Sequence, residues 1–500
     1  MKRQRGTGRA TLAAMAAMCA VAALPGQSWA AGEPNPYAFD SEAKSVQGAA
    51  VNSDGPSLKA GSTYKDTIKP GEKRYYRVDL DARTNAYVSA VAVPKLATKV
   101  SYADKLSVSI EDRSGSRCGD NDARFGSAAY ARPIAAYAER TIEKDASSCQ
   151  EEGAYYVLLE RSSDDTSTPE PWAVEIRFAS EPGLKAQGAT APPENWPSAN
   201  PAPPGGGPQK RHGGTSFTDA TGLKQGEWQD EIRPGQTLFY RVPVDWGQQI
   251  FASADLGTSV APDSAAGVGS ALALALHNPA RGAVDEASSM YYSGKQNSIA
   301  LDALPPVAYE NRYDTGSDSG MRFAGWYYLS VTLNPEVGKE YGRHAFALTL
   351  RVNVEGEAKA APAYAGPAGD FEVTKDDQEA ADSGERAPEA AKSDTMQLIA
   401  AAGIGAGTVL VLGLGVWTLV ARRRATALPA QGVAGPVPGQ GQGMGLGHAA
   451  GPGPSPRPGP GSGPGPGPVN VAGHAPGQVP GGGQAPGGQT PGQYGPPPSW

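Results

Sequence analysis

The sequence predicts an all-β protein with two antiparallel β-sandwich modules outside the membrane, one transmembrane helix and a disordered Pro/Gly-rich tail. Three observations support this prediction. Short segments alternate apolar and polar residues, which places the apolar side chains on one face of a strand. A pattern that begins at Asp66 recurs at Asp230, an offset of 164 residues. One stretch, 396–421, contains no charged side chain and is followed directly by arginines.

Residues 1–30 are organised like a secretory signal peptide. Lys2, Arg3 and Arg5 form a basic start, residues 11–24 carry no charge, and Ala30 supplies a small residue at the expected cleavage point. The sequence therefore predicts export, with cleavage after Ala30. Residues 31–54, which follow, are expected to be disordered.

The central part of the chain contains one sequence pattern twice, which predicts a first module at 55–185 and a second at 216–355. Each copy has an acidic residue, a Pro-Gly turn and a Tyr-Arg-Val segment at the same spacing. The matching residues are Asp66, Pro70, Gly71, Tyr76, Arg77 and Val78 in the first copy, and Asp230, Pro234, Gly235, Tyr240, Arg241 and Val242 in the second.

Both copies consist of predicted strands. Leu106, Val108 and Ile110 alternate with serines in the first copy, and Leu272, Leu274 and Leu276 alternate with alanines in the second. Pro-Gly pairs favour tight turns, because Pro presets one backbone angle and Gly tolerates the next. Short strands separated by such turns are typical of an antiparallel β-sandwich.

These segments resemble the bacterial pre-peptidase C-terminal domain. The resemblance rests on the Tyr-Arg-Val strand, on a strand end from Ile110 to Gly115, and on a Gly-x-Tyr-Tyr strand at Gly153 and again at Gly325. It covers about 55–180 and 218–355. The second copy has Asn278-Pro279-Ala280 in place of the Asp-rich turn, and both copies carry an insertion before the Gly-x-Tyr-Tyr strand. The resemblance implies tandem small β-sandwiches in a membrane-anchored surface protein.

Three further segments have the composition of linkers or disordered chain. Residues 186–215 are rich in Pro and Gly and are expected to be a linker, partly stiffened by Pro. Residues 356–395 are acidic and are expected to form a disordered stalk. Residues 422–500 repeat Pro and Gly and cannot bury enough apolar surface to offset the entropy of ordering.

The uncharged stretch 396–421 is long enough to cross a bilayer as one helix, which needs about 20 apolar residues. Arg422, Arg423 and Arg424 follow it, and basic residues favour the cytoplasmic side. The sequence thus predicts a single-pass protein of the cell membrane, with its N-terminal modules extracellular and its tail cytoplasmic.

The mature chain has only two cysteines, Cys118 and Cys149. Because an exported protein enters an oxidising compartment, a disulfide between them is expected. Two buried free thiols are the alternative.

No catalytic constellation is visible, so the chain is predicted not to be an enzyme and to need no cofactor. The five histidines include no pair with HExxH spacing, and no Gly-x-Ser-x-Gly segment occurs. Acidic residues around Cys118 lack the ligand order of a calcium loop, which favours a solvated turn over a metal site. The net charge of -7 argues against a nucleic-acid partner.

The predicted ligand-binding residues are Trp228 and Trp246, because both lie beside turns and large rigid rings bind partners well when exposed. The leading functional hypothesis is a non-catalytic display protein whose modules bind an extracellular protein or an envelope glycan. The alternative is a signalling or assembly subunit whose Pro-rich tail recruits a cytosolic partner.

Overall fold

A computed structural model describes residues 36–143, 146–186, 188–260 and 265–387. These residues belong to one compact unit. Within these ranges no helix is both long and apolar enough to span a membrane. The predicted signal peptide at 1–30, the predicted span at 396–421 and the predicted tail at 422–500 lie outside the described residues.

The first module consists of nine strands and a short 3-10 helix at Asn52–Asp54. The strands are β1 Lys44–Ser45, β2 Ser62–Ile68, β3 Lys73–Leu80, β4 Asn85–Val93, β5 Lys105–Glu111, β6 Arg117–Arg124, β7 Ile134–Arg140, β8 Gly153–Ser162 and β9 Trp172–Glu181.

These strands form two stacked sheets, with the orders β1-β2-β9-β4-β7 and β3-β8-β5-β6. The alternation in each strand directs one set of side chains into the space between the sheets. There, Val78 and Val108 of one sheet pack with Val88 and Ile176 of the other in a single buried cluster. The β-sandwich prediction is confirmed for this module.

The second module also forms two sheets. Its strands are β10 Pro208–Lys210, β11 Thr221–Gly222, β12 Gly226–Ile232, β13 Thr237–Val244, β14 Gln249–Leu256, β15 Leu272–His277, β16 Ala283–Ala287, β17 Asn297–Ala300, β18 Gly325–Leu333 and β19 Phe346–Glu355. Its helices are α1 Pro335–Tyr341 and three 3-10 helices at Phe217–Asp219, Tyr309–Tyr313 and Gly316–Met321.

The second sheet pair runs β10-β12-β19-β14-β17 and β11-β13-β18-β15-β16, which is the topology of the first module with β11 as an additional edge strand. Even side-chain hydrogen bonds recur. The hydroxyl of Tyr76 donates to Asp66 at 2.7 Å, and the hydroxyl of Tyr240 donates to Asp230 at the same distance. The sequence repeat therefore corresponds to two copies of one sandwich.

Among the described residues, the segment predicted as disordered (31–54) and the segment predicted as a linker (186–215) each contain an ordered part. Each contributes an edge strand that runs parallel to the first long strand of its module, β1 beside β2 and β10 beside β12. A glycine follows each edge strand, Gly48 and Gly213, where a Cβ would lie within 3 Å of the Tyr76 or Tyr240 ring. Packing against these rings orders segments whose composition alone indicates flexible chain.

The predicted disordered stalk at 356–395 is wrong for 356–387. This C-terminal segment pairs with residues 183–185, forms a 3-10 helix at Gly369–Phe371 and ends in helix α2, Lys375–Ser383. Phe371 is fully buried, with its ring 4.6 Å from that of Phe323. Burial of this ring offsets the entropy of ordering a polar segment.

The two modules are docked along one face of the β9-β4-β7 sheet. Three ion pairs join acidic side chains of the first module to arginines of the second, Glu175–Arg281, Glu181–Arg312 and Glu139–Arg322, at 2.6 to 2.8 Å. A fourth pair, Arg132–Glu286, has the opposite polarity. Burial favours the neutral form of Glu181, yet the charge of Arg312 and the hydrogen bonds to the carboxylate hold its pKa below the ordinary value. The docked arrangement thus depends on complementary buried charges.

Aromatic rings fill the space between these ion pairs. The Tyr87 ring of the first module lies 5.0 Å from Phe323 of the second and 5.6 Å from Phe371 of the C-terminal segment. Three parts of the chain therefore meet at one junction.

Candidate functional site

A cleft of about 260 Å³ opens at this junction. It is the best candidate site because all three parts of the chain line it. The first module contributes Arg177, the second contributes Pro279, Trp326 and Tyr328, and the C-terminal segment contributes Gly369, Asp370, Glu372 and Asp377.

Arg177 forms the wall from the first module. On β9 it points away from the sandwich core, because Ile176 and Phe178 on either side of it point inward. Its guanidinium donates to the carboxylate of Asp370 at 2.6 Å. This ion pair fixes the C-terminal segment against the first module.

Trp326 and Tyr328 form the aromatic wall. They are half-buried and share the outer face of β18, whereas Tyr327 between them is fully buried in the core. The indole N–H of Trp326 donates to Asp377 at 2.6 Å. The Arg241 guanidinium covers the Trp326 ring at 4.0 Å from its centroid. Burial lowers the pKa of Arg241, whose guanidinium also donates to the carbonyl of Glu385 at 3.3 Å.

The C-terminal segment supplies an acidic wall. Asp377 lies in the first turn of α2, where its carboxylate also accepts from the N–H and hydroxyl of Thr374 in a capping box. Glu372 follows the 3-10 helix at Gly369–Phe371 and is exposed at the cleft. Its carboxylate accepts no hydrogen bond from the residues that the structure describes.

The duplicated fold shows which cleft residues are particular to the second module. Tyr155 on β8 and Tyr327 on β18 are equivalent, and both are buried in the core. At the neighbouring outward position the first module has Ala154, whereas the second has Trp326. The sandwich therefore does not require an aromatic ring at this position, and Trp326 serves the junction instead.

The predicted ligand-binding residues, Trp228 and Trp246, do not contribute to the cleft, and the prediction that they are exposed is wrong. Trp228 is 1% exposed and Trp246 is 4% exposed. Trp228 lies on the same face of β12 as the core residue Ile232, and its indole donates to the carbonyl of Lys224. Trp246 packs against Tyr364 of the C-terminal segment.

The predicted disulfide between Cys118 and Cys149 is confirmed. It joins β6 to the chain before β8, and neither cysteine lines the cleft. The acidic side chains near it already have partners. Asp112 accepts from the backbone of Ser114 and Ser116, and Asp122 pairs with Lys105 and Arg124. The described residues contain no group of three side chains placed to hold a metal ion.

Chemically, the cleft offers aromatic faces and carboxylate oxygens, and one N–H of Arg177 and the indole N–H of Trp326 are engaged by Asp370 and Asp377. Such a lining suits recognition of a ligand by stacking and by hydrogen bonds to carboxylates. Sequence reasoning missed Asp370, Glu372 and Asp377, because it assigned them to a disordered stalk.

Comparisons with known proteins do not place the chain in a family. No family model matches it, and no curated protein matches it. Three solved structures resemble parts of it: an uncharacterised protein of Burkholderia cenocepacia, the CUB1-EGF-CUB2 segment of human MASP-1/3, and the CBM22 tandem of Paenibacillus barcinonensis Xyn10C.

These likenesses are remote. The identities are 9%, 6% and 10%, over 59%, 58% and 64% of this chain and 81%, 99% and 100% of the other chains, respectively. The TM-scores are 0.16, 0.14 and 0.17, so the likenesses carry no argument about function. The assignment of the β-sandwich fold therefore rests on the strand order of the sheets.

Proposed function

We propose that the chain is a non-catalytic, membrane-anchored binding protein that displays its two modules outside the cell and contacts a protein or an envelope glycan. The observation that carries this proposal is the cleft at the junction. It combines half-buried aromatic rings with carboxylates on a rigid framework, which is the composition of a recognition site.

The anchoring is part of the same proposal. It is supported by the basic, apolar and small-residue order of 1–30 and by the uncharged stretch 396–421 with its arginine flank. The disulfide is consistent with an exported protein, since such bonds persist in oxidising compartments. We also propose that both modules are of the pre-peptidase C-terminal type, and the Gly-x-Tyr-Tyr segments that begin β8 and β18 support this.

The proposal predicts that Trp326 is needed for ligand capture. The full chain would be used as bait on solubilised native envelope, in parallel with Trp326→Ala. Tyr102→Ala is the matched control, because Tyr102 is 67% exposed and lies outside the cleft. We expect Trp326→Ala to lose at least about tenfold of the captured material, which corresponds to one aromatic contact at an interface.

Tyr102→Ala should capture as much as the unchanged chain. Equal capture by all three proteins would contradict the assignment of the cleft as the binding site. Hydrolysis of the captured material by the full chain would contradict the non-catalytic part of the proposal.

A further inference from the structure

The hydrogen-bonding groups of the cleft are unbalanced in a way that indicates the chemistry of its ligand. This inference rests on the proposed function. One N–H of the Arg177 guanidinium and the indole N–H of Trp326 already bond to Asp370 and Asp377, at 2.6 Å in each case. The three carboxylates of the lining make the cleft rich in acceptors, because each carboxylate has about four lone-pair sites.

The cleft lining also carries more negative than positive charges. Asp370, Glu372 and Asp377 line the cleft, against Arg177 as its one lining cation. Arg241 lies behind Trp326 and is itself buried. Even with both arginines counted, the carboxylates are in excess, and Glu372 has no cationic partner among the described residues. A cation entering the cleft would therefore meet a favourable potential.

The aromatic wall favours the same ligand. The Trp326 ring already binds one guanidinium, that of Arg241, at 4.0 Å from its centroid. An aromatic ring has two negative faces, so the exposed part of this ring and the Tyr328 ring beside it can stabilise a second cation.

We infer that the cleft receives one lysine or arginine side chain of a protein partner. Both side chains carry only donors, three in Lys and five in Arg, and therefore complement an acceptor-rich lining. The volume of about 260 Å³ suits one long side chain and its immediate surroundings. The partner segment inserts this side chain between the Trp326–Tyr328 wall and Glu372.

The test uses the full chain purified in detergent and fluorescent Gly/Ser peptides that contain one Lys, one Arg or one Nε-acetyl-lysine. Fluorescence anisotropy gives the affinities. We expect the Lys and Arg peptides to bind at least about tenfold more tightly than the acetyl-lysine peptide, because acetylation removes the charge but keeps the length. Added salt should weaken the binding of the charged peptides only.

Two variants test whether the charged peptides bind in the cleft. Glu372→Gln should weaken the Lys peptide roughly fivefold, since it removes the carboxylate that has no cation of its own. Glu379→Gln makes the same change on the exposed surface of α2, outside the cleft, and should leave the affinity unchanged. Because both side chains are exposed, neither variant is expected to unfold the protein.

Several outcomes would overturn the inference. Equal binding of the Lys and acetyl-lysine peptides would do so, as would equal effects of Glu372→Gln and Glu379→Gln. So would binding of a glucosamine or N-acetylglucosamine oligomer without binding of the Lys peptide. If capture from envelope still depended on Trp326, the proposed function would stand in these cases. Only loss of that dependence would remove the proposed function itself.

Discussion

Arg281 shows at the residue scale how the second module adapted a shared turn for docking. Its backbone has a φ of 64°, and the equivalent position in the first module is Gly115, with a φ of 84°. A residue with a Cβ pays roughly 1 kcal/mol in this left-handed region. The backbone of Arg281 adopts this strained conformation, and the side chain of the same residue pairs with Glu175 across the junction.

The first prediction concerns this ion pair. Glu175→Gln should lower the free energy of unfolding by about 3–5 kcal/mol, because it leaves the buried guanidinium of Arg281 unpaired. Arg281→Gly added to that variant should restore part of the loss, since it removes the unpaired charge and relieves the backbone. Urea denaturation measures both changes.

Glu286→Gln is the control, because Glu286 pairs with Arg132 in the same interface but its side chain is 41% exposed. It should cost less than about 1 kcal/mol. A double variant less stable than Glu175→Gln alone would contradict the interpretation.

His277 leads to a prediction about pH. Burial lowers its pKa to about 4, from an ordinary value of 6.5. As the pH falls from about 6.5 to about 4, the unfolded chain gains a proton at this residue and the folded chain does not, so stability declines across that window. The contribution amounts to about 3 kcal/mol.

His277→Leu should remove the contribution of this residue to the loss of stability between about pH 6.5 and about pH 4. This holds whatever the effect of the substitution on stability at neutral pH. Denaturation midpoints recorded at several pH values between 7 and 4 test the prediction. Parallel profiles for the two proteins would contradict it.

At the scale of elements, β4 illustrates how docking shows in a sequence. A strand with one buried face alternates, but eight of the nine residues of β4 are buried, because one face meets the core and the other meets the second module. The run from Tyr87 to Val93 has few polar residues, which is typical of strands covered on both faces.

The sequence of the C-terminal segment also contains helix-capping signals. Thr374 and Asp377 have the spacing of a capping box, and Gly384 ends the helix with a left-handed φ of 77°. The overall acidic composition of 356–395 favoured disorder over these local signals. The element nevertheless forms, because Phe371 and two alanines of α2, Ala380 and Ala381, are buried.

Phe371 should therefore determine whether this segment stays docked. Phe371→Ala should destabilise the protein by about 3–5 kcal/mol, since the ring is fully buried between Tyr87 and Phe323. It should also accelerate proteolysis after residue 355. Val51→Ala, a truncation of a half-exposed side chain, should change stability by less than about 0.5 kcal/mol. Unchanged proteolysis of Phe371→Ala would contradict the assigned role.

At the scale of the whole molecule, the sequence predicted each module better than their arrangement. Period-2 patterns and the repeat identify strands and faces, because these depend on neighbours within one module. Which outer face meets which depends on pairs such as Glu181 and Arg312, 131 residues apart in sequence. No local pattern relates such residues, so the junction could not be predicted.

The two tryptophans show the same limit. Trp228 and Trp246 were predicted to be exposed because both lie beside turns. The sequence repeat, however, places Trp228 at the position of Tyr64, which is a core residue of the first module. Trp246 is covered by Tyr364, a residue of the supposed stalk. The cleft was missed because one of its walls lies in that segment.

The central claim is that two modules and the C-terminal segment form one rigid head with a cleft between them. Hydrogen–deuterium exchange of the full chain tests it directly, at the amides of Lys185, Ala365 and Gly384, which bond across or within the docked segment. We predict exchange at least about a hundredfold slower than that of an unstructured chain. Exchange at the unstructured rate would mean that the segment is free, that the cleft lacks its acidic wall, and that the account is wrong.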